Sequence, residues 1–243
     1  MMFGGLFRKK RRDYILDLDI HSHILPNIDD GSKSLDDTMK MILALRDMGY
    51  KKLITTPHIM NDFYQNSYNS IKKALDVVEQ RLVRDDIDIT LDVGAEYYLD
   101  DGFLDKVKRD DLMLINKKYL LFETSYQYRP IHLEESIFEI LSLGYTPVLA
   151  HPERYNYIDD IDREYARLKS LGVLFQLNIN SFNGYYGSRA KFKAIYLSRN
   201  GMVDFLGSDT HNFKQIENLK RVFKSREYSD IFKYNNIKNG TLF

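Results

Sequence analysis

Two histidines separated by one residue, His21-Ser22-His23, close the first apolar stretch of the chain. On an extended backbone, residues two apart point to the same side, so the two imidazoles project together. Turn chemistry follows at once in Pro26-Asn27-Ile28-Asp29-Asp30-Gly31, which returns carboxylates toward the histidines. Paired imidazoles beside carboxylates form a donor set for a divalent metal. An isolated H-x-H pair is as readily two solvent-facing side chains, so the case depends on the rest of the chain. There, His58 follows Pro57, Glu96 follows Gly94-Ala95, and Glu123 ends Tyr119-Leu120-Leu121-Phe122. His151 ends Thr146–Ala150, and Asp209 and His211 follow Val203–Gly207.

The elements that must position these residues alternate regularly. Strands are expected at 14–20, 52–56, 87–95, 119–123, 146–150, 173–178 and 203–207, most of them continuous apolar runs, as buried parallel strands are. Between them, helical spacing predicts helices from a Ser32 or Ser34 cap to Gly49, and over 67–83, 100–108, 130–143, 162–171 and 189–199. The last thirty residues read as one or two helices that give way to irregular chain over 235–243. Seven strand–helix alternations in about 230 residues predict an α/β fold closed, or nearly closed, into a barrel. Every candidate ligand then falls at the C-terminal end of a strand, the rim where the active sites of such barrels lie. Five of the six histidines gather there. The sixth, His132, follows Pro130 at a helix start and reads as a surface or capping residue.

Composition narrows the partners. Lys and Arg number 35, as do Asp and Glu, so no global field draws nucleic acid. The absence of cysteine among 243 residues excludes disulfides, thiolate metal sites and a cysteine-dependent phosphatase, and fits a reducing, cytoplasmic setting. No apolar run approaches membrane-spanning length. Met1–Phe7 is apolar and Arg8–Arg12 is a solid basic run, the reverse of the order in a signal peptide. Residues 1–12 are expected to form a solvated tail, with weak contact to the inner face of a membrane as the alternative. Residues 13–243 are expected to form one domain, for which an oligomer is compatible.

Imidazole and carboxylate without thiolate suit Mn, Fe or Zn. His21, His23, Asp30, His58, Glu96, Glu123, His151, Asp209 and His211 are too many for one ion and enough for two or three that share a carboxylate. Such a centre binds phosphate oxygens, generates a hydroxide nucleophile and stabilises a leaving oxygen, so metal-assisted phosphoester hydrolysis is the expected reaction class.

These residues carry a resemblance. His21-Ser22-His23, Asp30-Gly31, Pro57-His58, Gly94-Ala95-Glu96, Phe122-Glu123, His151-Pro152-Glu153-Arg154-Tyr155 and Ser208-Asp209-Thr210-His211 together resemble the polymerase-and-histidinol-phosphatase (PHP) superfamily. Within it the chain looks most like the bacterial capsule- and exopolysaccharide-linked tyrosine-protein phosphatases of the CpsB/YwqE type, over residues 14–225. The resemblance implies a distorted (βα)7 TIM-like barrel, a trinuclear centre and dependence on Mn²⁺. It implies one metal on His21, His23, Glu96 and Asp209, and a second on Glu96, Glu123 and His151. A third would take Asp30, His58 and His211. Asp209 and Arg154 are then catalytic, with Arg154 serving phosphate. The implied substrate is the phosphotyrosine-rich tail of a membrane tyrosine kinase that controls polysaccharide synthesis.

The chain departs from the family where a D-x-H-N-x-x-x-R pattern would place a second phosphate-binding arginine, because here Ile216 follows Asn212-Phe213-Lys214-Gln215. Lys214 is the expected substitute, as a point charge without the planar fork, and Arg129 is a further basic candidate. Two alternatives remain: a small-molecule phosphoesterase such as a histidinol-phosphate phosphatase, and a metal-stabilised domain without catalysis.

Overall fold

The computed structural model describes residues 16–243. The start of the first expected strand and the basic tail lie outside the described residues. Nine short parallel strands appear among those described: β1 (Leu18–Asp19), β2 (Lys52–Thr55), β3 (His58–Ile59), β4 (Thr90–Val93), β5 (Glu96–Tyr98), β6 (Tyr119–Glu123), β7 (Thr146–Ala150), β8 (Leu174–Asn178) and β9 (Phe205–Gly207). They pair in the orders β1-β2-β4 and β3-β5-β6-β7-β8-β9.

Seven of the nine match the expected strands; β3 and β5 lie beyond the expected 52–56 and 87–95, so His58 and Glu96 begin short strands where they were expected to follow the ends of longer ones. Thr56-Pro57 separates β2 from β3, and Pro57 has no N–H to give the ladder. Gly94-Ala95 separates β4 from β5. Pairing nevertheless crosses both breaks, through Gly94 N donating to Thr55 O at 3.0 Å and Glu96 N to Pro57 O at 3.1 Å. Past β9 the chain returns to the start. Ser22 bridges Thr210 in parallel, Asp209 N donates to His21 O at 2.8 Å, and His23 N donates to Thr210 O at 2.9 Å.

Among the described residues six helices connect strands, α1 (Leu35–Asp47), α2 (Tyr68–Arg84), α3 (Phe103–Lys108), α4 (Leu133–Ser142), α5 (Ile161–Ser170) and α6 (Ser188–Arg199), and two follow β9, α7 (Phe213–Val222) and α8 (Arg226–Tyr234). Ser34, not Ser32, caps α1 by accepting from Asp37 N, and Ser67 with Ser70 forms a capping box on α2. No helix of the described residues is long and apolar enough to cross a membrane. His132 stands at the start of α4, exposed, its Nδ1 2.9 Å from Glu135.

Strand residues divide between two cores by alternation. Leu120, Phe122, Leu149, Phe175 and Leu177 pack into the large core, which includes Ile137, Ile140 and Leu168 from the helices. Leu18, Ile20, Ile54, Leu121, Val148, Ala150 and Phe205 form a second cluster with Ile115 and Leu242. Each large apolar side chain buried this way contributes about 1.5–3 kcal/mol.

Leu242 corrects the expectation of an irregular end. Residues Asn239–Leu242 form a turn of 3-10 helix, and Asn239 is buried. Its amide donates to Leu18 O at 3.0 Å and Leu206 O at 2.7 Å and accepts from Leu206 N at 3.0 Å. Lys238 Nζ binds Asp204 Oδ1 at 2.7 Å. This segment ties the first strand to the last.

Candidate metal centre

The second core marks one face of the strands, and the chemistry on that face changes toward the C-terminal ends. Two residues beyond Leu121 stands Glu123 on β6. On β8, Leu174 packs against the second cluster, while Gln176 and Asn178 continue its period-two face as buried polar groups.

Those groups orient the histidines. His21 Nδ1 lies 2.7 Å from Gln176 Oε1, and His23 Nδ1 lies 2.9 Å from Asp29 Oδ2. Both partners accept, so each Nδ1 carries the hydrogen and each Nε2 turns a lone pair inward. The two Nε2 atoms face each other at 3.2 Å. Glu96 Oε2 lies 3.2 and 3.3 Å from them, and Asp209 Oδ1 lies 3.5 and 3.6 Å away. Converging imidazole and carboxylate atoms of this kind are a donor set that fits a divalent ion.

The cluster continues on the other side of Glu96. His58 Nδ1 stands 3.2 Å from Glu96 Oε2 and 3.1 Å from Glu123 Oε1, yet it is buried without a hydrogen bond to either. His151 Nε2 is 3.0 Å from Glu96 Oε1 and 3.8 Å from Glu123 Oε2. Asp30 Oδ1 lies 3.4 Å from His58 Nε2 and 3.3 Å from His211 Nε2, and His211 Nδ1 is 3.0 Å from Asp209 O. Three sets therefore have ligand atoms within 4.8 Å of one another: His21-His23-Glu96, His58-Glu96-Glu123, and His23-Asp30-His58-His211. The fold brings all nine expected ligands together. His23 and His58 each fall in two of these sets, where the resemblance assigns each to one metal, and His151 and Asp209 fall in none of the three, standing beside them.

Electrostatics record the same excess of negative charge. Burial and the neighbouring His58 oppose charge on His23, yet Asp29 and Glu96 push its pKa up to about 10. Burial likewise opposes charge on His21 and His58, and nearby carboxylates, Glu96 foremost, raise both. Burial alone would raise Glu96, but His21 and His58 hold it well below the usual carboxylate range. These opposed shifts mark a site that stabilises positive charge among its imidazoles and carboxylates.

The backbone is bent to achieve this. His151 has φ +33° and Asp209 φ +49°, left-handed values that side-chain-bearing residues seldom adopt and that concentrate at functional sites.

The cluster floors an open cavity of about 440 Å³ walled by Tyr64, Tyr98, Tyr126, Tyr186 and Arg154. Arg154 Nη1 donates to Asp209 Oδ2 at 3.0 Å. The carboxylates near it in sequence are engaged elsewhere: Glu153 accepts from Asn178 N and Ser181 Oγ, and Asp159 pairs with Arg189. The other two basic candidates are not brought to the cavity. Lys214 lies exposed in the first turn of α7 and is not in the lining, because Asn212 and Gln215 take the inward positions and close a capping box. Arg129 pairs with Glu134 beside α4, 3.9 Å from Glu164. Among the described residues, Arg154 is the only Lys or Arg in the lining.

Sequence reasoning saw Asp29 in the turn without giving it a role, and missed Gln176 and Asn178, whose amide donates to Asp209 Oδ2. Polar residues at alternate positions of an otherwise apolar buried strand were the available signal for the last two. The tyrosine walls carried no local signal.

Parallel strands and the loops around them bring a histidine–carboxylate cluster to one site, under a cavity with one arginine, and so define an α/β protein with a candidate metal centre. Comparison with known proteins narrows the class. The chain belongs to the capsular polysaccharide synthesis family CpsB/CapC, whose family model matches residues 17–230. It is 32% identical over 198 residues to tyrosine-protein phosphatase YwqE of Bacillus subtilis, covering 81% of this chain and 78% of the relative. A crystal structure from the pair YwqE of Bacillus subtilis and CpsB of Streptococcus pneumoniae, metal-dependent tyrosine phosphatases, superposes with a TM-score of 0.77. That match has 28% identity and covers 90% of this chain and 96% of that one. Histidinol phosphate phosphatase of Lactococcus lactis shares the fold, with a TM-score of 0.53 at 16% identity over 86% of this chain and 93% of that one.

Proposed function

We propose that this protein is a metal-dependent protein-tyrosine phosphatase. The observation that carries the reading is the position of Asp209, which turns Oδ1 to His21 and His23 and Oδ2 to Arg154. One carboxylate thus links the ion-holding cluster to the guanidinium suited to phosphate oxygens.

His21, His23, Glu96 and Asp209 would hold one ion, with Glu96 shared toward Glu123, His151 and His58, and Asp30, His58 and His211 completing the set. Manganese is the proposed ion, with two or three per chain. When bound, such ions supply the Lewis acidity and nucleophile activation of phosphoester hydrolysis. Arg154 binds non-bridging oxygens and orients the ester over the cluster. Gln176 and Asp29 keep the imidazole tautomers fixed. In the reaction, water adds to phosphorus, the bond to the phenolic oxygen breaks, and tyrosine and inorganic phosphate leave.

The strands are read as one distorted (βα)7 barrel in a single domain, a reading favoured by the bonds from Asp209 and Thr210 back to His21 and His23. The proposed substrate is the phosphotyrosine tail of a membrane tyrosine kinase in capsule synthesis, in line with the family and with the relatives' names. The proposed location is the cytoplasm at the inner membrane face, where the Arg8–Arg12 run would add roughly 1 kcal/mol per cation near anionic lipid. Deleting residues 1–12 is expected to spare peptide turnover and weaken binding to anionic vesicles; equal vesicle binding removes the tail from this account.

The test of function is turnover of a phosphotyrosine peptide against histidinol phosphate by the manganese-loaded protein. A higher kcat/KM on the peptide is expected. Preference for histidinol phosphate would instead identify a small-molecule phosphoesterase.

A further inference from the structure

Arg154 is fixed on more sides than its ion pair requires. Its guanidinium carbon lies 4.5 Å from the ring centre of Tyr126 and 4.3 Å from that of Tyr186, in addition to the bond to Asp209. Both rings are themselves anchored. Tyr126 O accepts from Asn156 N at 2.6 Å, and its ring stacks on Tyr155 at 5.9 Å. Tyr186 sits between Gly184 and Gly187, whose φ values of +88° and +96° form the turn that presents it. Its hydroxyl receives Gln215 Nε2 at 3.5 Å. On the α7 wall, Ile216 is buried in the large core, so that helix sends no cation inward from that position.

We propose that Tyr126 and Tyr186 are positioning residues that hold Arg154 by its faces, so that one guanidinium serves the substrate phosphate in a cavity with no other Lys or Arg in its lining among the described residues. The inference rests on Arg154 being the phosphate contact. Aromatic faces attract a guanidinium through the ring quadrupole and leave its in-plane N–H groups free for a forked contact. A side chain ordered before the phosphate arrives loses less freedom on binding. The attraction lies in the ring, so phenylalanine preserves it and leucine does not. The hydroxyl groups are secondary in this account.

The experiment uses the metal-loaded full-length chain. Tyr126→Phe, Tyr126→Leu, Tyr186→Phe and Tyr186→Leu are compared, with each leucine variant also combined with Arg154→Ala. Affinity for inorganic phosphate is measured by calorimetry, kcat/KM on a phosphotyrosine peptide by phosphate release, and metal content by elemental analysis. Each leucine variant is expected to weaken phosphate affinity and kcat/KM by about tenfold, with metal content kept, and each phenylalanine variant by no more than about threefold. In the Arg154→Ala background the leucine changes should have no further effect, because the group they hold is gone. Equal losses from phenylalanine and leucine would overturn the proposal, as would leucine losses that persist in the Arg154→Ala background. Should one leucine variant fail to fold by circular dichroism, the other position decides. A wild-type chain that binds phosphate but leaves the peptide intact would end the tyrosine-phosphatase reading, while the phosphate affinities would still judge the clamp.

Discussion

Gly31 lies directly against the backbone of His23: a Cβ built on Gly31 would stand 1.9 Å from the His23 carbonyl oxygen and 2.6 Å from the His23 Cβ. The approach closes a turn in which Ser32 N donates to that same carbonyl at 3.0 Å and Gly31 N donates to Asp29 Oδ1 at 2.9 Å. The turn sets Asp29 against His23 and Asp30 between His58 and His211. One methyl group at residue 31 therefore disturbs two carboxylates at once.

Gly31→Ala is expected to lower metal affinity about 10- to 100-fold, the scale found when groups that orient ligands are displaced. Circular dichroism should change little, because no helix or strand contains the residue. Metal titration decides; an alanine variant with wild-type affinity would mean the loop retreats without cost.

Removing divalent metal with a chelator is expected to abolish phosphotyrosine turnover, and added Mn²⁺ to restore it. Full activity in a preparation shown to be metal-free by elemental analysis would contradict the role given to the cluster.

Glu96 lies within 3.3 Å of His21, His23, His58 and His151. Its loss leaves four imidazoles without their common carboxylate, so Glu96→Ala should lose more bound metal than His58→Ala. Equal metal content in Glu96→Ala and wild type would refute a shared ligand at this position.

Arg154→Ala is expected to reduce kcat/KM by about 10²-fold, on the scale of one lost electrostatic donor, with metal content retained. Arg154→Lys should recover only part, since a point charge lacks the fork. Parallel metal analysis separates the outcomes: near-normal kinetics would remove Arg154 from the site, and lost metal would make it a support for Asp209.

Asn239→Ala strips the partners from Leu206 N, Leu206 O and Leu18 O. A buried polar group left without a partner costs about 1–3 kcal/mol, so a net loss of about 2–4 kcal/mol is expected. In a chain of this length that lowers the melting temperature by roughly 5–10 °C. Unchanged thermal unfolding of the metal-loaded protein would show that water takes over these bonds.

Most of the ligands could be found in the sequence because they follow apolar runs, and parallel strands carry such positions to one rim. Chain order thereby substituted for three-dimensional position. Asp29 and Asp30 could not be told apart because a single residue of phase in a tight turn separates the carboxylate that orients His23 from the one that faces His211. Lys214 was selected on charge alone, whereas the capping box of Asn212 and Gln215 fixes the rotation of α7 and leaves the lysine in solvent. Tyr126 and Tyr186 meet Arg154 from loops after different strands, a relationship with no fixed spacing. Asn239 lay in a polar ending with no periodicity, and its partners are 33 and 221 residues away.

That last separation sets an order of assembly. Leu18 leaves the ribosome 221 residues before the side chain that accepts responsibility for its carbonyl. Pairings so distant in sequence form late, after loop closure has been overcome, and they leave strand edges uncovered meanwhile. His21 and His23 emerge beside Leu18, while Thr210, whose carbonyl receives the His23 amide, is made nearly as late as Asn239. A nascent chain therefore carries seven of the nine candidate ligands through the synthesis of residues 152–208, before Asp209 and His211 are made. The centre is among the last parts of the molecule to exist, and a chain stalled before residue 209 is one that chaperones and proteases meet with its histidines exposed.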